Sequence, residues 1–218
     1  MNHALRTLVS LPVLLAFALP SGCATTGHDK ASDIATKMTA LRAAVTSTKE
    51  QIAAVSASVS ELLKEDVDAK AAFDQYGKAA DKLADATKKT QDAVRDVRTE
   101  GAAYFTEWQK QNVAINDPAI KKAADERRAD LNKHLDEVAK NTEQAAALYP
   151  PYLSRIQDAR TFMSNDLTKA GIKRIDSTLN HLVSEGSEVS KALDTAMKSL
   201  DETIPMFQAA KAPPPPAK

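Results

Sequence analysis

Apolar residues recur along this chain at alternating intervals of three and four, with charged and small polar residues between them. Ile34, Met38, Leu41, Val45, Thr48, Ile52, Val55, Val59 and Leu62 form the first such seam, and eight of the nine are apolar. That spacing lays one stripe along one face of an α-helix. Its mean, near 3.5 residues, is the period of helices that coil round one another with a left hand. It predicts a helix over residues 33–65. A second seam runs through Phe73, Tyr76, Ala80, Leu83, Thr87, Thr90, Val94, Val97, Gly101, Tyr104, Trp108, Gln111 and Ile115 and predicts a helix over 69–115. Its middle is built from alanine and threonine, which let neighbouring helices approach closely. A third seam, including Ile120, Ala124, Leu131, Leu135, Val138, Ala145, Leu148, Tyr152, Ile156 and Met163, predicts a helix over 118–167. The fourth, on Ile172, Ile175, Leu179, Leu182, Gly186, Val189, Leu193, Ala196, Leu200, Thr203 and Phe207, predicts a helix over 169–207.

The interruptions between seams carry turn and cap chemistry. Glu65-Asp66-Val67-Asp68 breaks the first pattern, and Asp68 is placed to cap the next helix. Asn116-Asp117-Pro118 offers an acidic cap followed by a proline at the first helical position, where its missing N–H costs nothing. Thr168 stands as the cap of the fourth segment. Pro150-Pro151 lies within the third pattern, which resumes directly afterwards. A kink near Leu148 is therefore expected in preference to a chain reversal, the alternative being that the helix ends there and the chain holds five. Short turns force antiparallel neighbours. The expected fold is all-α: an elongated antiparallel four-helix bundle with coiled-coil-like packing over residues 33–207. A rise of 1.5 Å per residue makes the outer helices roughly 50 Å long and the middle two roughly 70 Å. Residues 23–32 are expected to form a polar linker, and the proline-rich segment 208–218, with Pro213 to Pro216, a disordered tail.

Composition supports this picture and narrows the function. Glycine is scarce at six, aromatics are 5%, and no segment has the alternation of a strand. The chain holds 29 basic and 29 acidic residues, so no basic excess points to nucleic acid.

The single cysteine, Cys23, follows a short segment with one cation, Arg6, and an apolar run from Leu8 to Leu19. A run of twelve residues is too short to span a bilayer and has the proportions of an export signal. Ending on Ser21-Gly22-Cys23, it resembles the lipobox of bacterial lipoproteins, whose new N-terminal cysteine is acylated after cleavage. Residues 1–22 are expected to be a lipoprotein-type signal peptide, and Cys23 the lipidation site. The lipobox leucine has an offset counterpart here, Leu19, with Pro20 in its usual place. The other reading is ordinary cleavage after Ala16-Phe17-Ala18, leaving Cys23 as a thiol. The residues after the cysteine, Ala24 and Thr25, include no aspartate, and by resemblance to enterobacterial lipoprotein sorting this implies the periplasmic face of the outer membrane, with the inner membrane as the other destination.

Catalytic constellations are not evident. His134 and His181 fall on different helices at unequal distances from the turn between them, and there is no paired Glu-x-x-His, Cys-x-x-Cys or glycine-rich phosphate loop. No catalytic residue, metal site or cofactor is expected. The distinctive local feature is Tyr104-Phe105-Trp108. Counting from the turn at Asp117, Arg127 comes close to Trp108, where its guanidinium could stack on the indole. One reading of Tyr104, Phe105, Trp108 and Arg127 is a bulky plug of the bundle end; the sharper one is a contact site for a partner or lipid interface.

Tyr104-Phe105-Thr106-Glu107-Trp108, the Arg127-Arg128 region, Tyr149-Pro150-Pro151-Tyr152-Leu153 and Phe162-Met163-Ser164-Asn165-Asp166-Leu167 together resemble a family of bacterial envelope proteins, the domain of unknown function 2959. The resemblance covers about residues 30–207. It implies an all-helical, lipoprotein-like protein and brings no activity, cofactor or substrate. The function expected is that of a non-enzymatic, membrane-anchored helical scaffold, spacer or adaptor. Its partners would be the membrane, through a lipid anchor, and either an envelope protein or a second copy, the seams then serving an intermolecular coiled coil. The alternative is a carrier of lipid or another hydrophobic ligand in a groove along Ala80 to Val97, and a further one is an enzyme whose site forms only with a partner.

Overall fold

The computed structural model describes residues 27–208. Within them the chain forms α1 (Gly27–Leu62), α2 (Ala69–Asn112), α3 (Pro118–Ala146), α4 (Tyr149–Asn165), α5 (Lys169–Arg174) and α6 (Asp176–Phe207). The fold is all-α. α1 packs on α2 and α6; α3 and α4 together pack on α2 and α6; α5 leads into α6. Four rods therefore stand in antiparallel sequence around one core, and the six helices are those rods with two of them broken.

The seams supply that core. All nine first-seam residues, Ile34 to Leu62, are buried, as are Tyr76 through Tyr104 on α2 and Leu179 through Phe207 on α6. Burying one such aliphatic side chain stabilises a fold by about 1.5–3 kcal/mol, so the repeat, more than helix propensity, holds the rods together. Several buried threonine hydroxyls are paired within the core. The buried Thr48 and Thr90 hydroxyls share a hydrogen bond of 3.0 Å between α1 and α2, and Thr142 donates back to the Val138 carbonyl at 2.6 Å. Charge pairs flank the core from rod to rod: Lys37 with Asp96, Arg42 with Asp201, Lys49 with Asp194, Arg98 with Glu143, and Arg160 with Asp81. Being largely exposed, each adds little stability, but together they favour one register.

The helix starts follow the cap chemistry. The Asp68 carboxylate accepts from the Ala71 amide at 3.1 Å, Asp117 accepts from Ala119 and Ile120 at 2.8 and 3.0 Å, and Thr168 Oγ1 accepts from Gly171 at 3.0 Å. Pro118 occupies the first turn of α3.

Several bounds differ from expectation. α1 begins at Gly27, so residues 27–32, expected as linker, are helical. The turn containing Gly27 and Lys30 lies beside Trp108 and Gln111 of α2, which gives it a neighbour to pack on. α2 stops at Asn112, three residues before Ile115. At Pro150-Pro151 the hydrogen-bonded helix ends and restarts, yet Ala147 and Leu148 keep right-handed helical angles, so the rod bends without reversing. Pro150 and Pro151 supply no N–H, and the turn tightens through a bond from Leu148 N to the Ala145 carbonyl, 3.1 Å. The bend turns Tyr149 inward, 1% exposed, and leaves Leu148, expected on the seam, at the surface. A second break at Ile175 divides the expected fourth helix into α5 and α6. Pro205, expected at a frayed end, lies within α6. Ile120, also expected on a seam, is 59% exposed. Arg127 of α3 reaches the Met206 carbonyl in the last turn of α6, and Ile120 lies two turns further toward the start of α3, away from the body of that helix.

Candidate functional site

Cys23 and the signal segment lie outside the described residues, as does the tail beyond Gln208. The other candidate residues converge at the end of the bundle where α1 begins, α2 turns into α3, and α6 finishes. Tyr104 and Trp108 are one turn apart on α2, with ring centroids 5.5 Å apart and edge to face. Phe105 meets Tyr104 at 5.2 Å. Phe207, from the last turn of α6, completes the group at 6.0 Å from Tyr104 and 6.5 Å from Phe105. Edge-to-face contacts of this kind add about 0.5–1.5 kcal/mol each beyond area burial.

Arg127 belongs to this end but not to the indole face expected for it. Its guanidinium donates to Asp130 at 2.9 Å and to the Met206 carbonyl at 3.1 Å. It thereby ties α3 to the residue before Phe207 and holds the aromatic group from the α6 side. The Tyr104 hydroxyl feels both surroundings: burial pushes its pKa up, and the nearby Arg127 charge partly offsets this. Asn112, 2% exposed, donates to Asp125 at 2.6 Å and locks the end of α2 to α3.

Trp108 is only partly covered. With Gly27, Lys30, Tyr104, Glu107 and Gln111 it lines an open depression of about 240 Å³. That is below the span of about 300–1,000 Å³ usual for small-molecule sites. A larger recess of about 510 Å³ lies at the opposite end, among Leu62, Val67, Ile172 and the charged side chains of the two turns there.

Phe207 was legible as a seam residue, but no sequence signal joined it to Tyr104 and Phe105. The exposed Val113, beside the turn, carried no periodic signal at all.

A second polar group sits midway along the rods. Arg155 Nε of α4 lies 3.0 Å from Glu185 Oε2 of α6, and His181 Nε2 lies 3.4 Å from the other Glu185 oxygen. Tyr152 is beside them; burial, and secondarily the Glu185 charge, raise its pKa far above the ordinary phenol value. The helices are closely packed beside this group. A methyl group placed on Gly186 would stand 2.7 Å from the Tyr152 hydroxyl and 3.0 Å from Ile52. His134 lies between Asp130 and Glu137 on its own helix. Among the described residues no three His, Cys, Asp or Glu side chains are grouped to hold a metal ion, and no helix is long and apolar enough to cross a membrane.

The arrangement is that of an all-α four-rod bundle with a packed interior and an aromatic, partly open end. A family model described as protein of unknown function (DUF2959) matches residues 21–207, and the chain belongs to that family. No curated protein and no solved structure matches it.

Proposed function

We propose that this protein is a non-enzymatic scaffold or spacer of the bacterial envelope, tethered to a membrane through an acylated Cys23 with the aromatic end nearest the anchor. The observation that carries the reading is a rod whose apolar seams pack into one core, with its α1 terminus four residue steps from Cys23. Antiparallel order then sets the Leu62–Ala69 and Asn165–Lys169 turns at the far end, tens of ångströms from the anchor. A rod of this build transmits distance and orientation and presents its two ends to other components.

The alternative of a ligand carrier needs space along Ala80 to Val97. Ala80, Leu83, Thr87, Thr90, Val94 and Val97 are all buried against neighbouring helices, which favours the scaffold. The test has two parts. Mass spectrometry of the N-terminal peptide of the protein made in cells is expected to find acyl chains on Cys23, and Cys23→Ser to leave the membrane fraction. In-cell crosslinking is expected to capture a reproducible partner, lost in Trp108→Ala with the fold retained. A free Cys23 thiol would overturn the anchor. A purified chain with hydrolase or transferase activity on envelope substrates would overturn the scaffold.

A further inference from the structure

The two most exposed large hydrophobic residues among those described are Val113, 72% exposed, and Ile120, 59% exposed. They stand on either side of one short connection, the α2–α3 turn, and Ile115 between them is half-buried. Single exposed aliphatics are ordinary on a protein surface, but two at one tip, next to a half-covered tryptophan, form a patch. Neither packs on the core, so core formation does not explain them.

The place of the tip relative to the tether indicates what covers it. The start of α1 lies against the last turn of α2: a Cβ on Gly27 would be 3.9 Å from the Gln111 side-chain oxygen, and Gln111 is two residues from Val113. Four residue steps separate Gly27 from Cys23, a reach of at most about 14 Å. An acyl chain on Cys23 thus brings a bilayer within one helix diameter or so of Val113 and Ile120. Beside the tip, Lys121 is exposed with no ion pair among the described residues, Lys110 and Lys122 lie 3.8 Å from Glu107 and Glu126, and the Asp117 carboxylate is turned back onto the Ala119 and Ile120 amides, which leaves one lysine available to a lipid phosphate.

We infer that the α2–α3 tip, Val113, Ile115 and Ile120, seats in the headgroup region of the lipid bilayer, with Trp108 just above it. The bundle then stands end-on, held at two points, and does not swing freely on its tether. Aliphatic side chains entering the headgroup and acyl boundary add their own apolar burial to that of the anchor and fix the orientation of the rod. The inference rests on the proposed anchor for bringing the membrane close.

The test separates tip from anchor by attaching the chain chemically. Every core residue lies within residues 34–207, so the chain from Cys23 to Lys218 keeps the whole core. Cys23, its only cysteine, is coupled to maleimide-phosphatidylethanolamine in vesicles of phosphatidylethanolamine and phosphatidylglycerol. Trp108→Phe with Val113→Trp moves the sole indole to the tip. Tip insertion is expected to shift its emission to the blue and to give strong quenching by dibrominated phosphatidylcholine, both lost when Ile120→Asp is added. Ile120 is exposed enough for that change to leave the circular dichroism spectrum unaltered. A tethered, folded chain whose tip indole is neither shifted nor quenched overturns the inference. So does a doubling of molar mass in solution abolished by Ile120→Asp, which would give the tip to a second copy. Neither outcome bears on native acylation of Cys23, which the mass of the cellular protein decides independently.

Discussion

Replacing Gly186 by alanine should destabilise the bundle even though alanine is the better helix former. Gly186 is in the middle of α6, where the change by itself would be worth about 1 kcal/mol in favour of folding. The new Cβ would lie 2.7 Å from Tyr152 Oη, 3.0 Å from Ile52 Cγ2 and 3.3 Å from Tyr152 Cζ. Both neighbours are 2% exposed and held by α4 and α1. Overpacking in such a place typically costs about 1–3 kcal/mol, so the net effect is a loss of up to about 2 kcal/mol. The closest contact is with an oxygen that Tyr152→Phe removes. That hydroxyl has no hydrogen-bond partner among the described residues, so removing it should cost little. Gly186→Ala placed on Tyr152→Phe should therefore cost about 1 kcal/mol less than on the wild type, with the Ile52 contact remaining. Urea unfolding of the four proteins of this double-mutant cycle, followed by far-ultraviolet circular dichroism, measures the coupling. Additive effects, or a stabilised Gly186→Ala, would refute the close packing of α4 on α6 at this level.

Gly77 is the contrasting case, since a Cβ there would stand 3.3 Å from Arg160 Nη2, the end of a flexible side chain; Gly77→Ala should raise stability by up to about 1 kcal/mol, and a loss in the same urea assay would contradict this. Asp117→Ala removes the acceptor for two amides at the start of α3 and should cost about 1 kcal/mol, or about 2–4 °C of Tm for a chain of this length, measured by thermal unfolding. Burial holds the Tyr76, Tyr149 and Tyr152 hydroxyls protonated in the folded state well above the phenol range. The unfolded chain releases those protons near pH 10, so their contribution is present below about pH 10 and lost as pH rises beyond it. The urea midpoint should fall between pH 9 and pH 11, and Tyr149→Phe with Tyr152→Phe should flatten the fall. An unchanged slope in that variant would rule out these two hydroxyls as its source.

Much of the architecture was legible because its causes are local or one-dimensional. A helix closes its hydrogen bonds within its own segment, so Asp68, Asp117 and Thr168 announce where helices begin. A seam of period 3.5 names the buried face without naming the neighbour, and the nine positions from Ile34 to Leu62 illustrate it. Tyr104, Phe105 and Trp108 were visible as one aromatic group because they cluster in sequence.

The remaining features depend on which helix stands opposite, and only the tertiary structure decided them. Ile120 fits its seam in sequence yet faces outward, because α6 ends level with Arg127. Leu148 and Tyr149 are equally spaced candidates for one seam position, and the tightened turn at Pro150-Pro151 chose the tyrosine. Arg127 was counted to the indole and instead holds the end of α6, because a backbone carbonyl and Asp130 lie nearer to its guanidinium than any count from a turn can tell. Phe207 joins Tyr104 from about a hundred residues away in sequence. By itself the sequence determined most of the residues to be covered and the starts of α2, α3 and α5. Which partner covers each of them, and which are left for something outside the chain, is a matter of relative helix length and register that no single segment contains.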